Sequence, residues 1–201
     1  MRKFFVVIGV LLAAGCTSVP DEPAKAAGGQ PWLDDTKAAT AAGPIGATGS
    51  LCPMPVTFEV AKSWKPKAIE NKGDDELGLA RMGRFTAVCE VDAKPAGMIG
   101  FLRVWTDEDG GPQARAALED FVADVRYAKQ PEYRSVRLGS LAAEEVTYSL
   151  EAPQSDPKRE RALAVPTPRG PVVLHVGGLD TEEHEQMLPA YVLAKQTLKV
   201  S

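Results

Sequence analysis

Two histidines, three cysteines and a few dense groups of carboxylates are the residues of this 201-residue chain with chemistry to offer. His175 stands in Leu174-His175-Val176, a strand-like setting, and His184 lies beside Glu183 and Glu185 in what reads as an exposed helical turn. Paired with Cys89 or a serine, either histidine would supply the base of a nucleophilic arrangement. The sequence has no GxSxG elbow and no cysteine in a protease signature, so both histidines read better as structural or surface residues. Nine residues separate them, a spacing that fits no helical metal pair, and no catalytic, metal or cofactor site is assigned. Asp107, Glu108 and Asp109 form one acidic turn, and Asp74, Asp75 and Glu76 another. Together they would suit Ca²⁺ only if the loops met, and neither has EF-hand spacing; solvated loop charge is the expectation. Lys158-Arg159-Glu160-Arg161 reads as the charged start of a strand. Gly97, Gly110-Gly111 and Gly177-Gly178 are turn glycines, since no phosphate-binding pattern surrounds them. Trp64, Trp105 and the tyrosines either line a ligand groove or, the plainer reading, pack in the core.

Cys16 has the most specific setting. Arg2 and Lys3 precede an eleven-residue apolar run, residues 4–14. A membrane-spanning helix needs about 20 apolar residues, whereas a secretory signal needs about this many. The run ends in Ala13-Ala14-Gly15-Cys16, which resembles the bacterial lipobox with Ala13 in place of the usual Leu. The resemblance implies cleavage before Cys16, diacylation of its thiol and acylation of the new amine. One acyl chain anchors only marginally, and two signals anchor stably. An ordinary signal peptide with an incidental cysteine is the alternative.

Residues 17–50 change character: 23 of these 34 are Ala, Gly, Pro, Ser or Thr, and Trp32 is the one aromatic. Without an apolar period such a segment cannot offset its ordering entropy. It is expected to be a disordered linker reaching roughly 30 Å, with Trp32 a stray aromatic or a small docking point. Residues 51–201 suffice for one domain with a real core. Cys52 and Cys89, an even pair in an exported chain, are expected to form a disulfide, two buried free thiols being the alternative. Loss of Arg2 and Lys3 with the signal takes the net charge from −4 to −6, which disfavours nucleic acid.

Patterning predicts strands over 56–61, 64–69 (interrupted at Pro66), 84–91 and 98–106, with Phe85, Ala87 and Cys89 on one face of the third. Pro112 opens a helix whose stripe is Ala114, Ala117, Leu118, Phe121, Val122 and Val125, stopped by Gln130-Pro131. Strands follow over 133–138, 142–150, 161–166 and 172–176. Asp180 caps a last helix with Glu183 as capping-box partner, and Pro189 predicts a kink or restart near Leu188. Runs of strands with one helix between and one at the end indicate an α+β single domain, its largely antiparallel sheet covered by helices.

The opening PMPVTFEVAKSW, where a short strand leads to a tryptophan, and YRSVRLGSLAAEEVTYSL, strand–turn–strand after the first helix, resemble the PsbP-like fold. So does the combination of lipobox, low-complexity linker and one domain, seen in LpqN-type lipoproteins of actinobacteria. The resemblance covers about residues 51–201 and implies an α-β-α sandwich and an extracytoplasmic place. It transfers no catalytic residues, because members act mainly as binding or assembly factors. The expectation is a non-enzymatic envelope module, monomeric, bound to the membrane by lipid at Cys16 and meeting an envelope protein or a small apolar ligand. A small-ligand carrier and an envelope hydrolase are the alternatives.

Overall fold

The segment Val172–Gly177 is buried at every position, which a strand achieves only when both faces of its sheet are covered. The computed structural model describes residues 32–70, 80–111 and 113–201, and Trp32–Ser201 form one compact unit. In chain order the elements are β1 (Ala41–Ile45), β2 (Val56–Ala61), β3 (Lys65–Ala68), β4 (Arg81–Met82), β5 (Phe85–Asp92), β6 (Phe101–Thr106), α1 (Ala114–Asp124), β7 (Ala128–Leu138), β8 (Leu141–Leu150), β9 (Lys158–Val165), β10 (Val172–Gly177), α2 (Thr181–Thr197) and β11 (Lys199–Val200). The signal peptide, Cys16, the linker as far as Pro31, the Asp74-Asp75-Glu76 tip and Pro112 lie outside the described residues.

Eight strands make one antiparallel sheet, ordered β3-β5-β6-β10-β9-β8-β7 with β4 also on β5. Alternation along β9 and β10 sends Ala162, Ala164 and Val173 to α1, where Leu118 and Phe121 pack. It sends Leu163, Val165, Leu174 and Val176 to the opposite face, against α2 and β2. Each fully buried side chain of this size contributes roughly 1.5–3 kcal/mol, so two apolar layers explain why one sheet holds two helices. The chain is therefore the α+β domain expected from its patterning.

Four departures from the sequence reading have physical causes. First, residues 32–50 are part of the domain rather than linker: β1 pairs with β2, which also takes β11 to complete a three-stranded sheet. Ala39 N–H donates to Pro189 O at 2.9 Å. Gly46, at φ +105°, brings the backbone so close to Val56 that a Cβ would stand 1.9 Å from its carbonyl oxygen. The small residues that read as low complexity are here a close-packed crossing.

Second, β5 does not keep Phe85, Ala87 and Cys89 on one face. A bulge at Val88 breaks its register with β6 between Ala87↔Trp105 and Cys89↔Val104. An extra residue rephases a period-2 strand, so Phe85 and Ala87 join the α1 core while Cys89 joins the α2 core. There Cys89 is bonded to Cys52, with Cα atoms 5.7 Å apart. Third, α1 ends at Asp124, and Tyr127 at φ 69° turns the chain into β7 before Pro131 is reached. Pro131 sits inside β7 at an irregularity between Lys129 and Glu132, tolerated because β7 is an edge strand. Fourth, α2 does not restart near Leu188 but continues through Pro189 from Thr181 to Thr197, its flank held by β2 and by Ala39.

Candidate binding site

Three strands bring a phenol, a carboxylate and an imidazole together beneath α1. Tyr148 on β8 and Glu160 on β9 are direct cross-strand partners. His175 on β10 stands opposite Ala162, two residues further along β9 on the same face. His175 Nε2 lies 2.7 Å from Glu160 Oε2, and Tyr148 Oη donates to the same oxygen at 3.2 Å. The Tyr148 ring lies nearly parallel to the imidazole with centroids 6.4 Å apart, and Phe121 of α1 packs against it at a tilt, at 5.6 Å. The second carboxylate oxygen, Oε1, pairs with Lys158 Nζ at 3.2 Å, and the same ammonium donates to Gly178 O at 2.7 Å.

Burial works to raise the Glu160 carboxyl, but the charge and hydrogen bond of His175, then those of Lys158, outweigh it and hold it at about 2. Burial first, and the Glu160 charge second, push the Tyr148 phenol well above its usual range. In place of the Cys89 or serine considered from sequence as a nucleophile for the histidine, His175 has a phenol and a carboxylate as neighbours. Both neighbours meet the same ring nitrogen, Nε2, whereas a relay of this kind needs the hydroxyl on one nitrogen and the carboxylate on the other. What the cluster presents outward is a fixed pattern of donor and acceptor, Lys158 Nζ and Glu160 Oε1, 3.2 Å apart.

That pattern opens onto a cleft of about 220 Å³ whose lining includes Ile99, Phe101, Lys158, Glu160, Gly177 and Leu179. Gly177 is the window: a Cβ there would stand 3.1 Å from Glu160 Oε1 and 3.3 Å from His175 Cε1. Ile99 and Leu179 are 62% and 61% exposed, large aliphatic side chains left in solvent. Glu183 fixes both, its two carboxylate oxygens accepting the backbone N–H groups of Ile99 and Leu179. Asp180 does cap α2, accepting from Glu183 N at 2.8 Å, but the Glu183 side chain grips these two loops instead of closing a capping box.

A second buried carboxylate lies on the α2 face. Glu145 of β8 is fully buried and accepts from Tyr191 Oη at 2.8 Å, Lys195 Nζ at 3.0 Å and Arg134 Nη2 at 2.7 Å. Burial would raise its carboxyl, and Lys195, Tyr191 and Arg134 together bring it below the usual value. Trp32, expected as a stray linker aromatic, lies over Arg134 with its ring 4.0 Å from the guanidinium carbon. His184, expected at the surface, is 1% exposed, because α2 turns its first-turn face onto the sheet beside Arg161.

The remaining candidates are occupied. Asp107 of the acidic turn is buried and paired with Arg84 Nε at 2.8 Å, and among the described residues no three His, Cys, Asp or Glu come together to hold a metal ion. Trp64 and Trp105 are core side chains. A larger groove of about 620 Å³ lies between the start of α1 and the β7–β8 hairpin. Its polar side chains are tied up locally: Arg115 with Glu119, Ser135 with Glu144, and Arg137 with Ser140 O. Sequence reasoning missed Tyr148, Lys158, Glu160 and Glu145. A period-2 reading of Lys158, Glu160, Ala162 and Ala164 would have put Glu160 on a buried face.

Comparison with known proteins gives a family and two loose structural likenesses. LpqN of Mycobacterium tuberculosis, described as involved in cell envelope biogenesis, has 13% identity and a TM-score of 0.43, with 79% of this chain and 90% of that one covered. The cyanobacterial PsbP (CyanoP) of Synechocystis sp. PCC 6803 has 11% identity and a TM-score of 0.47, with 80% and 99% covered. None of the curated proteins matches. Residues 22–198 match the family described as uncharacterised lipoprotein. Since that match takes in both helices and the whole eight-stranded sheet, this chain belongs to that lipoprotein family.

Proposed function

We propose that the protein is an extracytoplasmic binding module, anchored to the cell membrane by lipid on Cys16, that takes up a small neutral ligand at the Glu160–Lys158 cleft. The observation that carries this reading is the pairing of two exposed aliphatic side chains, Ile99 and Leu179, over a floor holding a donor and an acceptor 3.2 Å apart. Ile99 and Leu179 line the same cleft and give it apolar walls, and few convergent polar groups among apolar walls are the usual make-up of a ligand site. Lys158 and Glu160 neutralise each other, so a hydroxyl or amide head suits them better than an ion. The apolar body would then lie between Ile99 and Leu179. Membership in a lipoprotein family supports the location, and the Ala13-Ala14-Gly15-Cys16 sequence supports the attachment.

The test is a titration of the chain with 1-octanol, octanoate and octylammonium, followed by the amide signals of Gly177, Gly178 and Leu179. The alcohol is expected to saturate, and Ile99→Ser with Leu179→Ser to weaken it at least fivefold. No saturable binding, or equal binding of the charged congeners, sinks the assignment. For the anchor, labelled palmitate should enter the wild-type chain and not Cys16→Ser; equal labelling of both refutes it.

A further inference from the structure

The segment that carries Trp32 holds a feature independent of the cleft. Arg134 of β7 is engaged from two sides. Asp34 accepts from its Nη1 and Nη2 at 2.8 and 2.7 Å, and Glu145 Oε2 accepts from its Nε and Nη2 at 2.9 and 2.7 Å. Trp32 covers the guanidinium at 4.0 Å, close enough for cation–π attraction. Between the two clamp residues Leu33 sits at φ 44°, a left-handed conformation that side chains other than glycine rarely adopt. That turn aims both Trp32 and Asp34 at one guanidinium. Beneath them, Arg134, Lys195 and Tyr191 gather around Glu145, and the Arg161 guanidinium lies 5.6 Å from the Trp32 ring and 5.8 Å from Tyr191. Two cations, Arg134 and Lys195, meet one buried carboxylate, and Asp34 supplies the second negative charge.

This attachment is made to be reversible. Asp34 is 64% exposed, so its ion pair is screened and weak despite its bidentate geometry. Residues 32–38 form a strap over this surface: Thr36 N and Oγ1 both donate back to Leu33 O within it, and Leu33 packs against the α2 core. The next backbone hold is Ala39 on Pro189. Residues 32–38 can therefore lift as one piece while β1 stays paired.

We propose that the Arg134–Lys195 surface is a recognition site for a peptide segment bearing an aromatic residue and, two positions on, a carboxylate, and that Trp32 and Asp34 fill it in cis. A partner protein presenting that segment displaces the strap. Displacement frees the seven residues 32–38 ahead of Ala39, up to ~25 Å of chain at full extension between the domain and the proposed anchor at Cys16. Partner recognition and distance from the membrane are thereby coupled.

The experiment uses the full chain and the nonapeptide of its residues 30–38. Trp32→Ala/Asp34→Ala empties the site, and the peptide is expected to bind this variant at least tenfold more tightly than wild type. Adding Arg134→Gln should abolish that binding. No binding to a folded double variant, or equal binding with Arg134→Gln, overturns the proposal. If the double variant fails to fold, the wild type decides: with 5-fluorotryptophan incorporated, millimolar peptide must shift the fluorine signal of Trp32 toward that of the free peptide. An unmoved Trp32 signal overturns the proposal. Failure here leaves the octanol titration untouched, since the cleft lies on the other face of the sheet.

Discussion

His184 should set the acid stability of this domain. Its imidazole is held down to about 3, mostly by burial, then by the Arg161 guanidinium, with His175 and Arg159 acting in the same sense and Glu160 against them. Its Nδ1 has no hydrogen-bond partner among the described residues, so a second proton would be taken up without compensation. Below the unfolded value of 6.5 the unfolded chain binds a proton that the folded chain refuses, and stability falls with pH until about 3. At 1.36 kcal/mol per unit, the window from pH 6.5 to 4.5 alone costs about 2–3 kcal/mol. Glu160, depressed from 4.5 to about 2, loses its contribution only below pH 4.5, so the two are separable. Urea unfolding at pH 7.5, 6.5, 5.5 and 4.5 measures the slope. Wild type should be flat above 6.5 and lose about 2–3 kcal/mol by 4.5, while His184→Leu, which fills the site without titrating, should lose under about 1 kcal/mol over the same window. Equal slopes in the two proteins would refute the assignment of this loss to His184, whatever their absolute stabilities.

Three further outcomes follow from the geometry. Closing the loop between Cys52 and Cys89, 37 residues apart, should stabilise by about 4 kcal/mol in the chain-entropy view; urea midpoints with and without reductant measure it, and intact mass should rise by two protons on reduction. Glu145→Gln leaves Arg134 and Lys195 facing a neutral amide in a buried site and should cost about 3–5 kcal/mol, read by chemical denaturation. A chain beginning at Leu51 lacks β1 and buried Ile45 and uncovers β2, so it should be at least about 2 kcal/mol less stable than one beginning at Trp32; equal stability would return residues 32–50 to the status of linker.

The elements were legible where one period held throughout. The stripe of α1 was read to the residue for Ala117, Leu118, Phe121 and Val122, and β8 through β10 within a few residues, because alternating or fully apolar strands leave one solution. Legibility failed where a single residue changed the phase. The Val88 bulge leaves little mark in Phe-Thr-Ala-Val-Cys-Glu-Val-Asp: Phe85, Ala87, Cys89 and Val91 keep an unbroken period of two, and the apolar run Ala87-Val88-Cys89 fits either phase. Residues 39–50 failed for the opposite reason: their Ala and Gly give no period, and composition cannot distinguish a segment that packs nothing from one that packs closely by backbone.

The charged residues were misjudged through a subtler route. Glu160 and Glu145 lie in Lys-Arg-Glu-Arg and Ala-Glu-Glu-Val, contexts that local reading treats as solvated, because a lone carboxylate in a core is prohibitively costly. What makes each affordable is supplied from far along the chain: His175 and Tyr148 for Glu160, and Arg134, Tyr191 and Lys195 for Glu145. The two groups sit on neighbouring strands yet on opposite faces, so neither helps neutralise the other by contact. A protein that needed only stability could have placed apolar residues at both positions with no loss. Retaining two such clusters instead, one opening to a cleft through Gly177 and one sealed by Trp32 and Asp34, is the physical reason to look for recognition on both faces of this sheet.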